Sequence, residues 1–574
     1  MEKLDKKLED DAKPPIYGID FTKPGKKRQL ASTHLLNLGL TKGGHVELDD
    51  SSATNLITGE CCGGGIGGGC CKVAPNGDVT PGTPRLPDFE VPQNDAFRSL
   101  RINLRPLSRY AKLSGVPDLA PVDREIVPVK DIKHRSTCNL HPPTYVKPHP
   151  PHEVFSAKVA SCRELTKPGA EKRTYHFDLD VTDYPDEGTN VDFVVGGAIG
   201  VCAPNPPTLV QEIFDRLKIS KEEQDEPVLL HTQGGRWPTI WGEEEARTLT
   251  TTRRELLTWT VDVQSYAPKK DILRLLAEYA EDPNEQLILK YLCSRQGQAA
   301  FCELRTGQYV TLIQLLNAFP SSHPPFAELL QHLQALMPRF YSLSADPQLC
   351  KSGKKTRRTI EIAVTVHESK ENWREGNRQG VGSGFFERTA KKFLEAQETG
   401  DLKTMRELRV PMFRGLMSNP LAKEFESDGP MVLIGAGVGI APFRGFVQKR
   451  LQNANCINKV WVLQGIRDSL HDEIYQGEWG VEDEKVKKIV ESRRPQEGKR
   501  YVQDEVRRQA DLVWSVINAL DGRVFVCGSS KGMGEGVEAA LVDVAMEKGR
   551  LRREEAMEFW EKKRKGFQYV AETW

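Results

Sequence analysis

The sequence predicts two architectures in series, α+β and then α/β: an antiparallel β-barrel interrupted by a helical insertion, followed by a doubly wound parallel sheet. Three observations predict it. Runs such as VFSAKVASCREL (154–165) and RTYHFDLDV (173–181) alternate apolar and polar residues with period two, the pattern of half-buried antiparallel strands. Between 207 and 335, segments such as PTLVQEIFDRLKI, KKDILRLLAEYAE and FAELLQHLQALM place apolar residues three and four apart, as amphipathic helices do. From 431 onward, the short apolar strands MVLIGAG, KVWVLQGI and RVFVCGS are each followed by an amphipathic segment, the rhythm of a parallel sheet with crossover helices.

Residues 1–95 are rich in Gly, Pro, Asp and Lys and are expected to form a low-complexity, disordered tail. The tail includes CCGGGIGGGCC (61–71), but adjacent cysteines lack the C-x-x-C spacing of metal ligands, so no metal is expected at Cys61, Cys62, Cys70 and Cys71. Residues 96–206 and 336–425, which include the strand RTIEIAVTV (358–366), are expected to build the barrel. Residues 207–335 form the helical insertion, and residues 426–574 the α/β unit.

Composition narrows the function classes. At 574 residues and about 150 per domain, the chain holds three or four domains. Lys+Arg 80 and Asp+Glu 80 cancel, so no global field favours nucleic acid or an anionic membrane. The opening MEKLDKKLEDDAKPPIYG is charged and has no apolar h-region, which argues against a secretory signal. MVLIGAGVGIAPF (431–443) is shorter than the ~20 residues that span a bilayer, so no membrane insertion is expected. Twelve cysteines without a short disulfide framework suit a reducing compartment, and a cytoplasmic location is expected.

In MVLIGAGVGIAPFRGF an apolar strand runs into Gly435, Gly437 and Gly439, and a helix begins near Pro442. Such a turn either cradles a phosphate, through exposed amides and the helix dipole, or merely permits a tight strand-to-helix bend. GVGIAPFRGF resembles the nicotinamide-binding turn of the ferredoxin-NADP reductase superfamily, and further motifs follow in that family's order. Over residues 150–574 the chain is similar to the diflavin reductases, which include the reductases of microsomal cytochrome monooxygenases, nitric oxide synthase and the sulfite reductase flavoprotein. The resemblance implies an FAD-binding barrel, a helical connecting domain, a Rossmann-like NADP-binding domain, and the cofactors FAD and NADPH.

PRFYSLSA (338–345) resembles the family's R-x-Y-S motif. The resemblance implies that Arg339 neutralises the flavin diphosphate, Tyr341 packs on the isoalloxazine, and Ser342 hydrogen-bonds the ring near N5. RQGVGSGFF (378–386) resembles the second flavin segment, in which the amides of Gly380, Val381 and Gly382 and the Ser383 hydroxyl surround the pyrophosphate; the family usually has Cys or Ala in place of Gly382. Ile362 and Val364 match positions whose backbone contacts the flavin. Gly197 replaces the acid of a family G-D-x-x-G-V turn.

On the nicotinamide side, the resemblance implies that Gly437, Val438 and Gly439 line the dinucleotide turn, with Val438 where the family often has Thr or Ser. ESRRPQEGKRYVQDEV (491–506) resembles the reader of the adenosine 2′-phosphate, with Ser492, Arg493, Lys499, Tyr501 and Gln503 in the matching places. Cationic and hydroxyl donors suit the extra phosphate of NADPH, whereas NADH selection calls for a carboxylate on the ribose. QGIRDSLHDEIY (464–475) places Arg467, Asp472 and Tyr475 in a G-x-R pattern, with Arg467 beside the dinucleotide. FVCGSSKGM (525–533) resembles the family's C-G-x-x-x-x-M element, which implies Cys527 beside the nicotinamide C4 and Met533 lining the ribose or nicotinamide pocket; Ser529 stands where the family often has Asp. The ending QYVAETW resembles Y-x-x-D-V-W, so Glu572 is expected to steady the positive nicotinamide with Ser342 and Cys527, and Trp574 to stack on the flavin until displaced.

No Ser/Thr-rich phosphate loop of an FMN-binding flavodoxin is legible before residue 150. The expected acceptor is therefore a separate flavodoxin-like, iron–sulfur or haem protein. Two alternatives stand beside it: a non-catalytic scaffold or regulatory subunit that keeps the fold, and a tail that binds a metal or cluster as the internal acceptor. The oligomeric state is not legible.

Overall fold

The computed structural model describes residues 90–574 apart from 105–111, 130–133, 135–140, 148–152, 186–192, 235–236, 238–244, 266–267, 307–308, 348–356, 416–420, 422–428, 453–458, 481–482 and 494–499. The expectations for the tail up to residue 89, with its paired cysteines, and for Lys499 lie outside the described residues.

Six strands form the barrel sheet: β1 (Phe155–Glu164), β2 (Thr174–Asp180), β3 (Ala198–Val201), β4 (Arg339–Ser342), β5 (Thr359–Thr365) and β6 (Arg409–Arg414), in the order β5-β2-β1-β6-β3-β4. A Leu343–Ile362 bridge and a hydrogen bond from Ser344 N to Glu361 O (2.8 Å) close the ring between its two ends. Alternation supplies the core, in which Phe177, Ile199, Val201, Ile360, Ile362, Val364 and Met412 are buried. β2 is buried on both faces, because its outward residues meet the C-terminal unit.

Between β3 and β4 the chain builds α1 (Pro207–Arg216), α2 (Lys270–Glu278), α3 (Pro283–Cys293), α4 (Leu312–Ala318) and α5 (Phe326–His332) around a leucine-rich core. The structure departs here from the expectations in two places. Pro227–Thr232 and Arg247–Thr252 are strands, and Arg124–Pro128 pairs with the first of them as a third. Ala96, Phe97 and Leu100, expected with the barrel, pack into the helical core instead. Apolar periodicity reports which face of a segment is buried, not which core receives it.

The helix α6 (Val381–Thr399) follows β5 and packs its Phe386 ring 4.9 Å from Phe177. The C-terminal unit is a five-stranded parallel sheet of β7 (Met431–Ala436), β8 (Val460–Ile466), β9 (Lys487–Glu491), β10 (Arg523–Gly528) and β11 (Tyr569–Thr573), in the order β9-β8-β7-β10-β11. The strand order reverses at β7 and β10, the switch point beyond whose carboxyl ends such sheets bind ligands. Among the described residues no helix is long and apolar enough to cross a membrane.

Candidate active site

The switch point is built by the glycine turn. β7 passes into a 3₁₀ turn, Gly437–Ile440, and then into α7 (Ala441–Gln452), with Pro442 in its first turn. Gly437 takes a φ of +55°, and a Cβ placed on Gly439 would lie 2.2 Å from the Cys527 carbonyl oxygen. The turn therefore presses directly on the end of β10, and only hydrogen fits between them. Val438 is partly buried against the same core.

Parallel pairing sets Cys527 opposite Glu572, and the barrel brings Ser342 to the same place. The Ser342 hydroxyl donates to the Glu572 carboxylate, 3.3 Å from each oxygen, and Cys527 Sγ lies 3.9 Å from Glu572 Oε2. Burial and the neighbouring Glu572 charge push the Cys527 thiol well above its ordinary value. Cys527 is thus a neutral S–H donor, not a thiolate nucleophile. Two side chains, one from each unit, converge on one carboxylate.

The last residue is tied to this cluster through its backbone. Trp574 N donates to Gly528 O (3.1 Å) and Ser530 N donates to Trp574 O (2.8 Å), while the indole remains 54% exposed. The loop after β10 carries Met533, which is partly buried; a Cβ on Gly528 would lie 3.4 Å from the Met533 sulfur.

On the barrel side, α6 begins at Gly380 with no side-chain cap, so its first amides, including those of Val381, Gly382 and Ser383, are not claimed by a capping group. Ser383 Oγ accepts the His367 amide (3.1 Å). Gly382 faces Arg339 and Tyr341: a Cβ there would sit 2.3 Å from the Tyr341 hydroxyl and 3.0 Å from Arg339 Cγ. The uncapped end of a 19-residue helix with the stem of Arg339 packed against Gly382 is a donor set that fits an anionic diphosphate. Tyr341 packs edge-on to Phe386 at 4.9 Å. Ile362 and Val364 point into the barrel core, and Ile362 forms the closing bridge.

The partner of Arg339 was not legible in the sequence. Its guanidinium lies 3.2 Å from Asp262 Oδ2 and 3.2 Å from Ser265 Oγ, and the Asp262 side chain is fully buried. Asp262 belongs to the helical insertion and carries no motif, so only folding reveals that it aims the arginine.

The residues expected on the nucleotide side cluster at the carboxyl ends of β8 and β9. Arg467 follows β8 and Arg493 follows β9, and a hydrogen bond from Arg493 N to Arg467 O (3.0 Å) joins the two segments. Ser492 Oγ donates to Ile466 O (3.1 Å). Tyr501, exposed, caps helix α8 (Val502–Arg508), and Gln503 packs against Gly536. Arg467 and Arg493 both reach Glu171, a carboxylate of the barrel. Asp472 is partly buried, and that burial pushes its carboxyl up.

Tyr475 has a different place from the others. It is fully buried at a φ of +59°, its hydroxyl 2.8 Å from His176 Nδ1 and 3.1 Å from Ser344 Oγ, both in the barrel unit. Arg444 of α7 lies 4.7 Å from the Tyr475 ring centroid and donates to Glu361 Oε2 (2.6 Å). These groups latch the barrel to the parallel sheet. Among the described residues His176, Asp178 and Glu361 converge as three ligand-type groups, but the Arg444 guanidinium already meets the charge there.

Comparison with known proteins agrees with this geometry. The FAD binding domain family matches residues 147–385, and the oxidoreductase NAD-binding domain family matches residues 433–539. An uncharacterized FAD-binding protein of Schizosaccharomyces pombe is 44% identical over 84% of this chain and 88% of its own length. A second one from the same organism is 42% identical over 82% of each. Methionine synthase reductase of Bos taurus is 27% identical over 73% of this chain, which spans 61% of that protein. The chain therefore belongs to the diflavin reductase family of flavoprotein oxidoreductases, with FAD-binding and nicotinamide-dinucleotide-binding parts.

Proposed function

We propose that this protein takes hydride from NADPH onto FAD and passes the electrons to a separate acceptor protein of flavodoxin-like, iron–sulfur or haem type. The observation that carries the reading is the convergence of Ser342, Cys527 and Glu572 at the switch point of the parallel sheet, with the barrel directly opposite.

FAD supplies the ring that accepts hydride. Arg339, aimed by Asp262, and the first amides of α6 hold its diphosphate. Glu572 stabilises positive charge as it develops on the nicotinamide, and Ser342 and Cys527 orient that carboxylate by donating to it. Because the Cys527 thiol stays protonated, it donates to the carboxylate without adding a second negative charge. The exposed indole of Trp574, on a backbone fixed at Gly528 and Ser530, shields the reacting face until the nicotinamide displaces it. Arg467, Ser492, Arg493, Lys499, Tyr501 and Gln503 read the 2′-phosphate, and Gly437, Val438, Gly439 and Met533 shape the pocket for the rest of the dinucleotide.

Anaerobic stopped-flow of the purified flavoprotein tests this. Flavin absorbance is expected to bleach far faster with NADPH than with NADH, and deletion of Trp574 is expected to narrow that ratio. Equal bleaching by both nucleotides in the wild-type protein refutes the 2′-phosphate assignment. Purification without bound flavin points instead to a scaffold that keeps the fold.

A further inference from the structure

Two cations at the end of the parallel sheet share one anion, and that anion comes from the other half of the molecule. Glu171 lies in the turn between β1 and β2 of the barrel, and a single carboxylate oxygen, Oε2, is 3.0 Å from Arg467 Nη1 and 2.5 Å from Arg493 Nη2. The turn is held in place independently of these pairs: Lys167 N donates to His471 O (3.0 Å), in the loop that follows Arg467. The carboxylate is thus delivered to the guanidiniums by folded backbone and not by a freely wandering side chain.

We propose that Glu171 is an internal counter-ion for the nucleotide site, a carboxylate that occupies the 2′-phosphate position and must be displaced when NADPH binds. The inference rests on the assignment of Arg467 and Arg493 to the 2′-phosphate. Its physical basis is competition for the same donors. A 2′-phosphate carries more negative charge and more acceptor oxygens than a carboxylate, so it wins the guanidiniums. Glu171 is about half exposed, and ion pairs at that exposure are each worth no more than about fivefold in affinity. The clamp is therefore weak enough to yield and strong enough to lower nucleotide affinity. Discrimination between the two dinucleotides is set partly by a residue of the barrel turn, outside the nucleotide-binding unit.

The test is calorimetric binding of 2′,5′-ADP and of 5′-ADP to the flavin-loaded full chain. Glu171→Gln keeps the shape of the side chain and removes its charge. It is expected to tighten 2′,5′-ADP about three- to tenfold while 5′-ADP changes less than twofold. In Glu171→Gln/Arg493→Ala that gain should shrink, because one of the released donors is gone. No gain for 2′,5′-ADP, an equal gain for both ligands, or a weakened 5′-ADP, which would mean the carboxylate serves ribose hydroxyls, overturns the proposal. Arg493→Ala alone separates the two layers. Loss of 2′,5′-ADP affinity without any effect of Glu171→Gln leaves the phosphate site standing and removes only the clamp, whereas unchanged affinity in Arg493→Ala removes the site itself.

Discussion

Tyr475→Phe deletes one oxygen from the latch between the barrel and the parallel sheet. The aromatic ring, its edge-on packing against His176 at 5.6 Å and its place beneath Arg444 are retained. What is lost is the hydroxyl 2.8 Å from His176 Nδ1 and 3.1 Å from Ser344 Oγ. His176 is buried and keeps Asp178 through Nε2 (2.8 Å), so its other ring nitrogen is left without its partner. An unsatisfied buried group costs ~1–3 kcal/mol and the second bond adds ~1, a total of about 2–4 kcal/mol. With a urea m-value of about 2–3 kcal/mol/M, the midpoint for separating the two halves should fall by about 1 M. The functional consequence follows from where the cluster residues reside. Ser342 is carried by the barrel and Glu572 by the parallel sheet, so a loosened latch should slow NADPH-driven flavin reduction severalfold while leaving 2′,5′-ADP affinity within twofold. The assay pairs urea titration, read by flavin fluorescence and circular dichroism, with anaerobic stopped-flow. A midpoint shift under ~0.2 M together with an unchanged rate would refute the reasoning, since it would mean that the hydroxyl carries no net energy at the interface.

Further outcomes are expected from the same geometry. The thiols of buried Cys162 and Cys293 and of half-buried Cys202 are pushed up to about 12 by their loss of solvation, and Cys527 is pushed well above its ordinary value. The folded state therefore holds protons that the unfolded chain releases above pH ~9, and stability should be level below that pH and fall as pH rises through it toward 12. Melting curves from pH 7 to 10 check this, and Cys527→Ser should make the alkaline fall shallower. Gly439→Ala forces a methyl group to within 2.2 Å of the Cys527 carbonyl. It should cost ~1–3 kcal/mol and weaken dinucleotide binding at least tenfold, and normal binding in a folded variant would contradict the drawn contact. Asp262→Asn removes the buried carboxylate that aims Arg339. Because Arg339 is 30% exposed, the stability cost should stay near ~1–2 kcal/mol, and the clearer readout is a lower fraction of FAD retained on gel filtration.

Much of the fold was legible because backbone periodicity is local. VFSAKVASCREL and RTYHFDLDV became β1 and β2, and PTLVQEIFDRLKI and KKDILRLLAEYAE became α1 and α2. FAELLQHLQALM was legible only in part, since its helix ends at His332 and Gln334–Ala335 is strand. The strands Pro227–Thr232 and Arg247–Thr252 pair with each other inside the helical stretch, and the third strand of their sheet, Arg124–Pro128, comes from before it, so neither short run carried a pattern of its own. A short apolar segment does not state whether it will find a strand to pair with.

The candidate site divides along the same line. Its candidate residues were named through the family resemblance of local motifs: the turn from Gly437 to Gly439, the Arg339–Tyr341–Ser342 run, Cys527 and the terminal Trp574 each lie in a pattern that a single chain segment carries. Tertiary structure alone decided which carboxylates would meet them. Asp262 reaches Arg339 from the helical insertion, Glu171 reaches Arg467 and Arg493 from a barrel turn, and Glu361 reaches Arg444 across the interface between the two units. Unlike Glu572, which sits in a terminal motif, these three carboxylates carried no local pattern naming a partner, because an ion pair depends on distance in space. Family motifs in the sequence name the candidate groups, and the packing of barrel on sheet decided which side chains meet them there.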